Sequence, residues 1–97
     1  MISISLSELC NAVGGQLIGA DITINSIVTD SRTLQKDQVF LALKGPNFDG
    51  HRFVEQVVAA GCNAVIVDRD CQLAVPQIVV TDTHQALGQI AAYIKAK

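Results

Sequence analysis

Apolar residues run through this chain in two rhythms, helical spacing and short continuous runs, and their alternation sets the architecture. Leu6, Leu9, Cys10 and Val13 fall at helical spacing. Just ahead of them, Ser5-Leu6-Ser7-Glu8 is a capping-box pattern in which Ser5 and Glu8 satisfy each other's amides, so a first helix starts there. Gly14-Gly15 ends it, because glycine accepts the left-handed conformation of a helix C-terminus. Gln16-Leu17-Ile18 and Ile22-Thr23-Ile24 read as short strands around the turn-prone Gly19-Ala20-Asp21. Ser26-Ile27-Val28-Thr29 is a further strand, ending at the polar corner Asp30-Ser31-Arg32. Val39-Phe40-Leu41-Ala42-Leu43 is the most continuous apolar run and predicts a buried central strand.

A loop over residues 44–50 leads into a second helix, whose buried side is marked by Phe53, Val54, Val57, Val58 and Ala60 and whose end is Gly61. Ala64-Val65-Ile66-Val67 and Gln77-Ile78-Val79-Val80 are the next strands. A last helix opens at Asp82, with Gln85 as capping partner and Leu87, Ile90, Ala91 and Ile94 as its apolar stripe. The succession predicts an α/β fold, a small mixed, partly parallel sheet with helices packed on it. Residues 1–97 form one domain, without internal repeat or low-complexity stretch.

Composition sharpens this picture in three ways. Hydrophobic residues make up 49% and charged residues 16%, which excludes a disordered tail and leaves room for an apolar face toward a neighbour. The net charge is −2 and the Lys and Arg are scattered, so a nucleic-acid partner is not expected. Cys10, Cys62 and Cys71 form no CxxC pair and read as reduced thiols. No signal-peptide pattern opens the chain, and no apolar run reaches the roughly 18 residues of a membrane span. A cytoplasmic protein with no membrane partner is the expectation.

The sequence offers no set of catalytic or metal-binding groups. GxxxxGK[ST], GxGxxG, GxSxG and HExxH are all absent, and His51 and His84 each open a predicted helix, where such a residue is usually solvated. A small hydrolase using either histidine is the weakest reading.

Two loops do suit a ligand. Thr29-Asp30-Ser31-Arg32 lies at the carboxyl end of a strand, where open α/β sheets place ligands, and it can read a polar edge and hold an anion. The same residues also suit an ordinary turn in which Asp30 or Ser31 caps the next segment and Arg32 pairs with Asp30. In the stretch from Lys44 to His51, Gly45 permits close approach, Pro46 stiffens the loop and Asn47 offers donor and acceptor. The helix start near Gly50 aims free amides at the same space, which suits a pyrophosphate; alternatively, Asp49 simply caps the helix and Phe48 packs against it.

These loops also carry a family resemblance. Thr29-Asp30-Ser31-Arg32, Val39 to Gly45, Phe48-Asp49-Gly50-His51-Arg52-Phe53 and Ala60-Gly61-Cys62-Asn63-Ala64, in this order, resemble the N-terminal domain of the Mur ligases. Two branches of the family share this type of domain. Ala42-Leu43-Lys44-Gly45 with Phe48-Asp49, and Pro76 to Val80 followed by Asp82-Thr83 and Ala86-Leu87-Gly88, are similar to the later-acting branch.

The resemblance implies a domain that holds the UDP end of a UDP-N-acetylmuramoyl-peptide. Central and C-terminal domains outside this chain would bind ATP and Mg2+ and perform the chemistry, so no cofactor is expected within it. It further implies UDP contacts at Thr29, Ser31, Pro46, Asn47 and Phe48, with Arg32, Lys44, Gly45 and His51 as neighbours of the pyrophosphate. Where the family often has P-G-D, this chain has Lys36-Asp37-Gln38; aspartate tolerates a positive φ, so the turn is expected to survive. A module that kept this fold as an interaction surface is the remaining alternative.

Overall fold

A computed structural model of the chain describes residues 3–46 and 48–96; nothing of the Phe48 side chain is described. The elements are β1 (Ile4–Ser5), α1 (Leu6–Val13), β2 (Gln16–Ile18), β3 (Thr23–Ile24), β4 (Ile27–Val28), β5 (Val39–Leu41), β6 (Lys44–Gly45) and β7 (Phe48–Asp49). A 3₁₀ turn (Gly50–Phe53), α2 (Val54–Ala59), β8 (Ala64–Val67), β9 (Gln77–Val79) and α3 (Thr83–Ala96) follow.

Five strands form one sheet in the order β2-β9-β8-β5-β4, in which β4, β5, β8 and β9 run parallel and β2 joins the far edge antiparallel. The expected mixed, partly parallel sheet is what forms. Period-two alternation splits its side chains between two cores. Val39, Leu41, Ala64, Ile66 and Ile78 face α1 and α3, joining Leu6, Leu9, Ala86 and Ile90. Phe40, Ala42, Val65 and Val67 face α2, joining Val54, Val57 and Cys62. Two small antiparallel pairs, β1 with β3 and β6 with β7, flank the main sheet.

The first helix ends as its sequence dictates. The Ser5 hydroxyl accepts the Glu8 amide, and Gly14 adopts φ 64° at the C-terminus. The Glu8 carboxylate also accepts the Tyr93 hydroxyl, which ties α1 to α3. Asp37 does take the positive φ, 71°, its amide donating to the Gly61 carbonyl at 3.0 Å.

Three expectations are corrected. The second helix begins as a 3₁₀ turn, so its α-helical part is only Val54–Ala59, and Ala60 is exposed. In α3 the buried line is Thr83, Ala86 and Ile90; Ala91 is exposed and Leu87 and Ile94 are only partly covered. Leu87, Ile90, Ala91 and Ile94, with Ile27 and Thr29 of the edge strand region, line an open apolar groove of about 220 Å³. The stretch read as a loop over 44–50 contains the β6–β7 hairpin.

Candidate ligand site at the carboxyl edge of the sheet

Because β4, β5 and β8 are parallel, the segments leaving them gather at one edge: Thr29–Arg32 after β4, Leu43 and the hairpin after β5, and Asp68–Asp70 after β8. Between the first of these and the start of α2 lies a cavity of about 590 Å³, within the range of small-molecule sites. Thr29, Asp30, Ser31 and Arg32 form its polar wall, and Phe40, Leu43, Phe53 and Gln56 its apolar floor and far side.

Of the expected contacts, Thr29, Ser31 and Arg32 line this cavity, whereas Lys44, Gly45 and Pro46 belong to the neighbouring hairpin. Asn47 and the Phe48 side chain lie outside the described residues. Phe40, Leu43, Phe53 and Gln56 were not foreseen as site residues. The signal for Phe40 was its alternation with Val39 and Leu41, which places it on the α2 face of the strand.

The corner is both a built turn and a polar wall. Asp30 Oδ1 accepts the Arg32 amide at 2.9 Å, and the guanidinium meets the same carboxylate through Nε at 3.1 Å and Nη2 at 2.9 Å. The side chain of Arg32 is 86% exposed, so this pair contributes little to stability and can be exchanged for another anion. Its hydrogen bonds hold the Asp30 carboxyl below the usual range and push the Arg32 guanidinium up.

The hairpin's far end is fixed by His51, which is not solvated as its place at a helix start suggested. Its side chain is 5% exposed. Asp49 Oδ1 lies 2.6 Å from Nδ1 and accepts the His51 amide at 3.0 Å. The Asp68 amide lies 3.0 Å from Nε2, and Asp68 Oδ1 lies 3.1 Å from the same nitrogen. Both ring nitrogens therefore already have partners within the chain. Asp49 also caps the 3₁₀ turn, and the Gly50 amide donates to Leu43 O at 2.6 Å. Two amides expected to face an anion are thus already used.

The Asp49 carboxyl is held low chiefly by the His51 amide bond, and Asp68 chiefly by its 2.7 Å bond to Arg69 Nε, with a lesser attraction from Lys44. Carboxyls depressed in the folded chain contribute stability above their unfolded value of about 3.9, and lose it as pH falls through the folded values. The urea midpoint is expected to hold near neutrality and to drop steeply below about pH 4. Asp49→Asn should flatten that drop. An unchanged midpoint between pH 5 and pH 3 would reject this account.

Known proteins resemble this chain in sequence and in fold. The family described as "Mur ligase family, catalytic domain" matches residues 23–95. UDP-N-acetylmuramoyl-tripeptide–D-alanyl-D-alanine ligase of Escherichia coli (strain K12) is 43% identical over 95 residues, covering 98% of this chain and 21% of its own. The structure of UDP-N-acetylmuramoylalanyl-D-glutamyl-2,6-diaminopimelate–D-alanyl-D-alanyl ligase from Acinetobacter baumannii matches with TM-score 0.91 at 40% identity, over 99% of this chain and 22% of that one. UDP-N-acetylmuramoyl-L-alanyl-D-glutamate–2,6-diaminopimelate ligase of Aquifex aeolicus (strain VF5) is 40% identical over 68 residues, 70% of this chain and 14% of its own. The chain spans about a fifth of the length of the curated relatives it matches. With a family match running from Thr23 through α3, and a fold shared almost end to end, this chain belongs to the Mur ligase family.

Proposed function

We propose that this chain is the N-terminal, UDP-recognising domain of the ATP-dependent ligase that adds D-alanyl-D-alanine to UDP-N-acetylmuramoyl-tripeptide, a cytoplasmic step of peptidoglycan precursor synthesis. The observation that carries the reading is the cavity at the carboxyl edge, where Thr29, Ser31 and Arg32 stand over Phe40 and Phe53. In it the Thr29 and Ser31 hydroxyls meet the polar edge of the uracil, and Phe53 offers an apolar surface to the nucleoside. Arg32 leaves its exposed pairing with Asp30 to meet a phosphate oxygen. The resemblance adds uridine contacts at Pro46, Asn47 and Phe48, with Lys44, Gly45 and His51 as neighbours of the pyrophosphate.

No bond is made or broken at this site. Its role is to hold the nucleotide handle so that binding energy far from the reacting carboxylate positions that carboxylate. In this reading ATP and Mg2+ act elsewhere in the parent enzyme. The sequence holds no phosphate-cradling loop. The described residues include no group of three or more His, Cys, Asp or Glu suited to a metal ion. Central and C-terminal domains of the parent polypeptide would supply that chemistry. Among the described residues no helix is long and apolar enough to cross a membrane. The likeness to the diaminopimelate-adding ligase supports a second reading, the same domain of the ligase that adds the third peptide residue.

Amide NMR titration tests the site. UDP-N-acetylmuramoyl-tripeptide should shift Thr29–Arg32, Leu43 and Phe53, with UDP alone giving most of the effect. Ser31→Ala, which removes one hydrogen bond, is expected to weaken binding roughly two- to tenfold. Shifts confined to the groove beside α3, with none at the cavity, would favour an interaction module instead.

A further inference from the structure

The β6–β7 hairpin stands off the main sheet, pairing only Lys44 with Asp49 and Gly45 with Phe48. Two such pairs do not hold a ribbon in place by themselves. At its base the second strand is fastened by Gly50 and by the buried His51 ring. Across the same base, on the first strand, a residue from a distant part of the chain takes hold. His84 Nε2 lies 2.7 Å from the Lys44 carbonyl oxygen, forty positions away in sequence. A carbonyl only accepts, so Nε2 carries the proton and donates it. The backbone of His84 is itself immobilised, because Asp82 Oδ1 caps α3 by accepting the amides of His84 at 2.9 Å and Gln85 at 3.2 Å.

We infer that His84 is a positioning residue for ligand recognition: through its bond to the Lys44 carbonyl it sets the hairpin, and the adjacent Leu43 wall, against the cavity. This rests on the nucleotide-handle reading above. His84 is exposed and its ring lies outside both cores, so its bond adds little to the fold. Its effect is to restrict the hairpin in the free protein, so that less ordering remains to be done when a ligand arrives. Leu43 is the link, since its side chain lines the cavity while its carbonyl accepts the Gly50 amide and its peptide leads directly into Lys44.

The test compares the wild-type chain, His84→Ala and His84→Gln for binding of UDP-N-acetylmuramoyl-tripeptide and for thermal midpoint. Wild type is expected to bind. His84→Ala should bind about three- to tenfold more weakly with its midpoint nearly unchanged, and with amide shifts over residues 43–50 already altered in the free protein. His84→Gln keeps an N–H donor and should recover most of the affinity. Wild-type binding with undiminished affinity in His84→Ala would overturn the inference and leave the nucleotide-handle reading standing. Equal losses in the alanine and glutamine variants would overturn it as well, because the donor would not be the cause. If the wild type itself fails to bind, the reading falls and the inference falls with it.

Discussion

Phe40→Ala is expected to destabilise the chain by about 3–5 kcal/mol, a large part of the roughly 5–15 kcal/mol that a domain this size possesses. Phe40 is fully buried in β5, and β5 is bonded to β4 on one side and β8 on the other. Its ring is the largest group in the core beneath α2, packing with Val54, Val57, Cys62, Val65 and Val67. Removing it opens a void that the strands on either side cannot fill by collapsing. Phe40 also borders the cavity beside Thr29 and Ser31, so ligand affinity should fall along with stability. Urea unfolding checks the first effect, with the midpoint reduced and the slope retained. A loss below about 1 kcal/mol would mean that α2 is held by something other than this ring.

Gly50→Ala is the second large effect, expected at about 2–3 kcal/mol. The reason is steric. A Cβ at Gly50 would lie 3.0 Å from both the amide nitrogen and the carbonyl oxygen of Leu43, and 3.1 Å from Ala42 Cα. All three are backbone atoms at the exit of a central strand, so no rotamer change relieves the contact. The hairpin must swing outward, stretching the Gly50–Leu43 hydrogen bond and moving the wall that faces the cavity. Gly88→Ala is the contrast within the same chain. Nothing lies within 4 Å of a Cβ there, and the position is inside α3, so alanine should raise stability by about 0.5–1 kcal/mol. If Gly50→Ala proved as harmless as Gly88→Ala, the close packing of hairpin on strand would be refuted.

What was legible in the sequence divides by the range of the interaction involved. The first helix was readable to the residue because Ser5 and Gly14 act on their own neighbours. The strands around Phe40, Val65 and Ile78 were readable because continuous apolar runs can only be buried. The phase of α3 was not, because Leu87, Ala91 and Ile94 suit a core stripe equally well, and only tertiary packing decides that Thr83 and Ala86 go inward. The burial of Gln77 was likewise hidden. Its side-chain carbonyl accepts the Cys71 amide at 2.8 Å and its amide donates to Asp70, pairings that exist only once the loop before β9 has folded back.

The lining of the cavity followed the same division. Thr29, Ser31 and Arg32 could be named because a polar corner at a strand's carboxyl end is a local pattern. Leu43, Phe53 and Gln56 could not, since they look like ordinary loop and helix positions until the 3₁₀ turn brings them around the cavity. His51 shows the limit most clearly. A histidine at a helix start looks free for a ligand, and only the approach of Asp68 from another strand shows both its nitrogens engaged.

The antiparallel edge of the sheet has a consequence for the order in which the molecule is made. β2 is synthesised early, yet its pairing partner is β9, with Gln16 opposite Val79 and Ile18 opposite Gln77. The helix between β1 and β2 waits as well, because Glu8 meets Tyr93 only after α3 exists. A nascent chain emerging from the ribosome therefore has β4, β5, α2 and β8 complete before β2 has a partner strand. Joining β2 to β9 is thus a long-range pairing that no segment before Gln77 can complete.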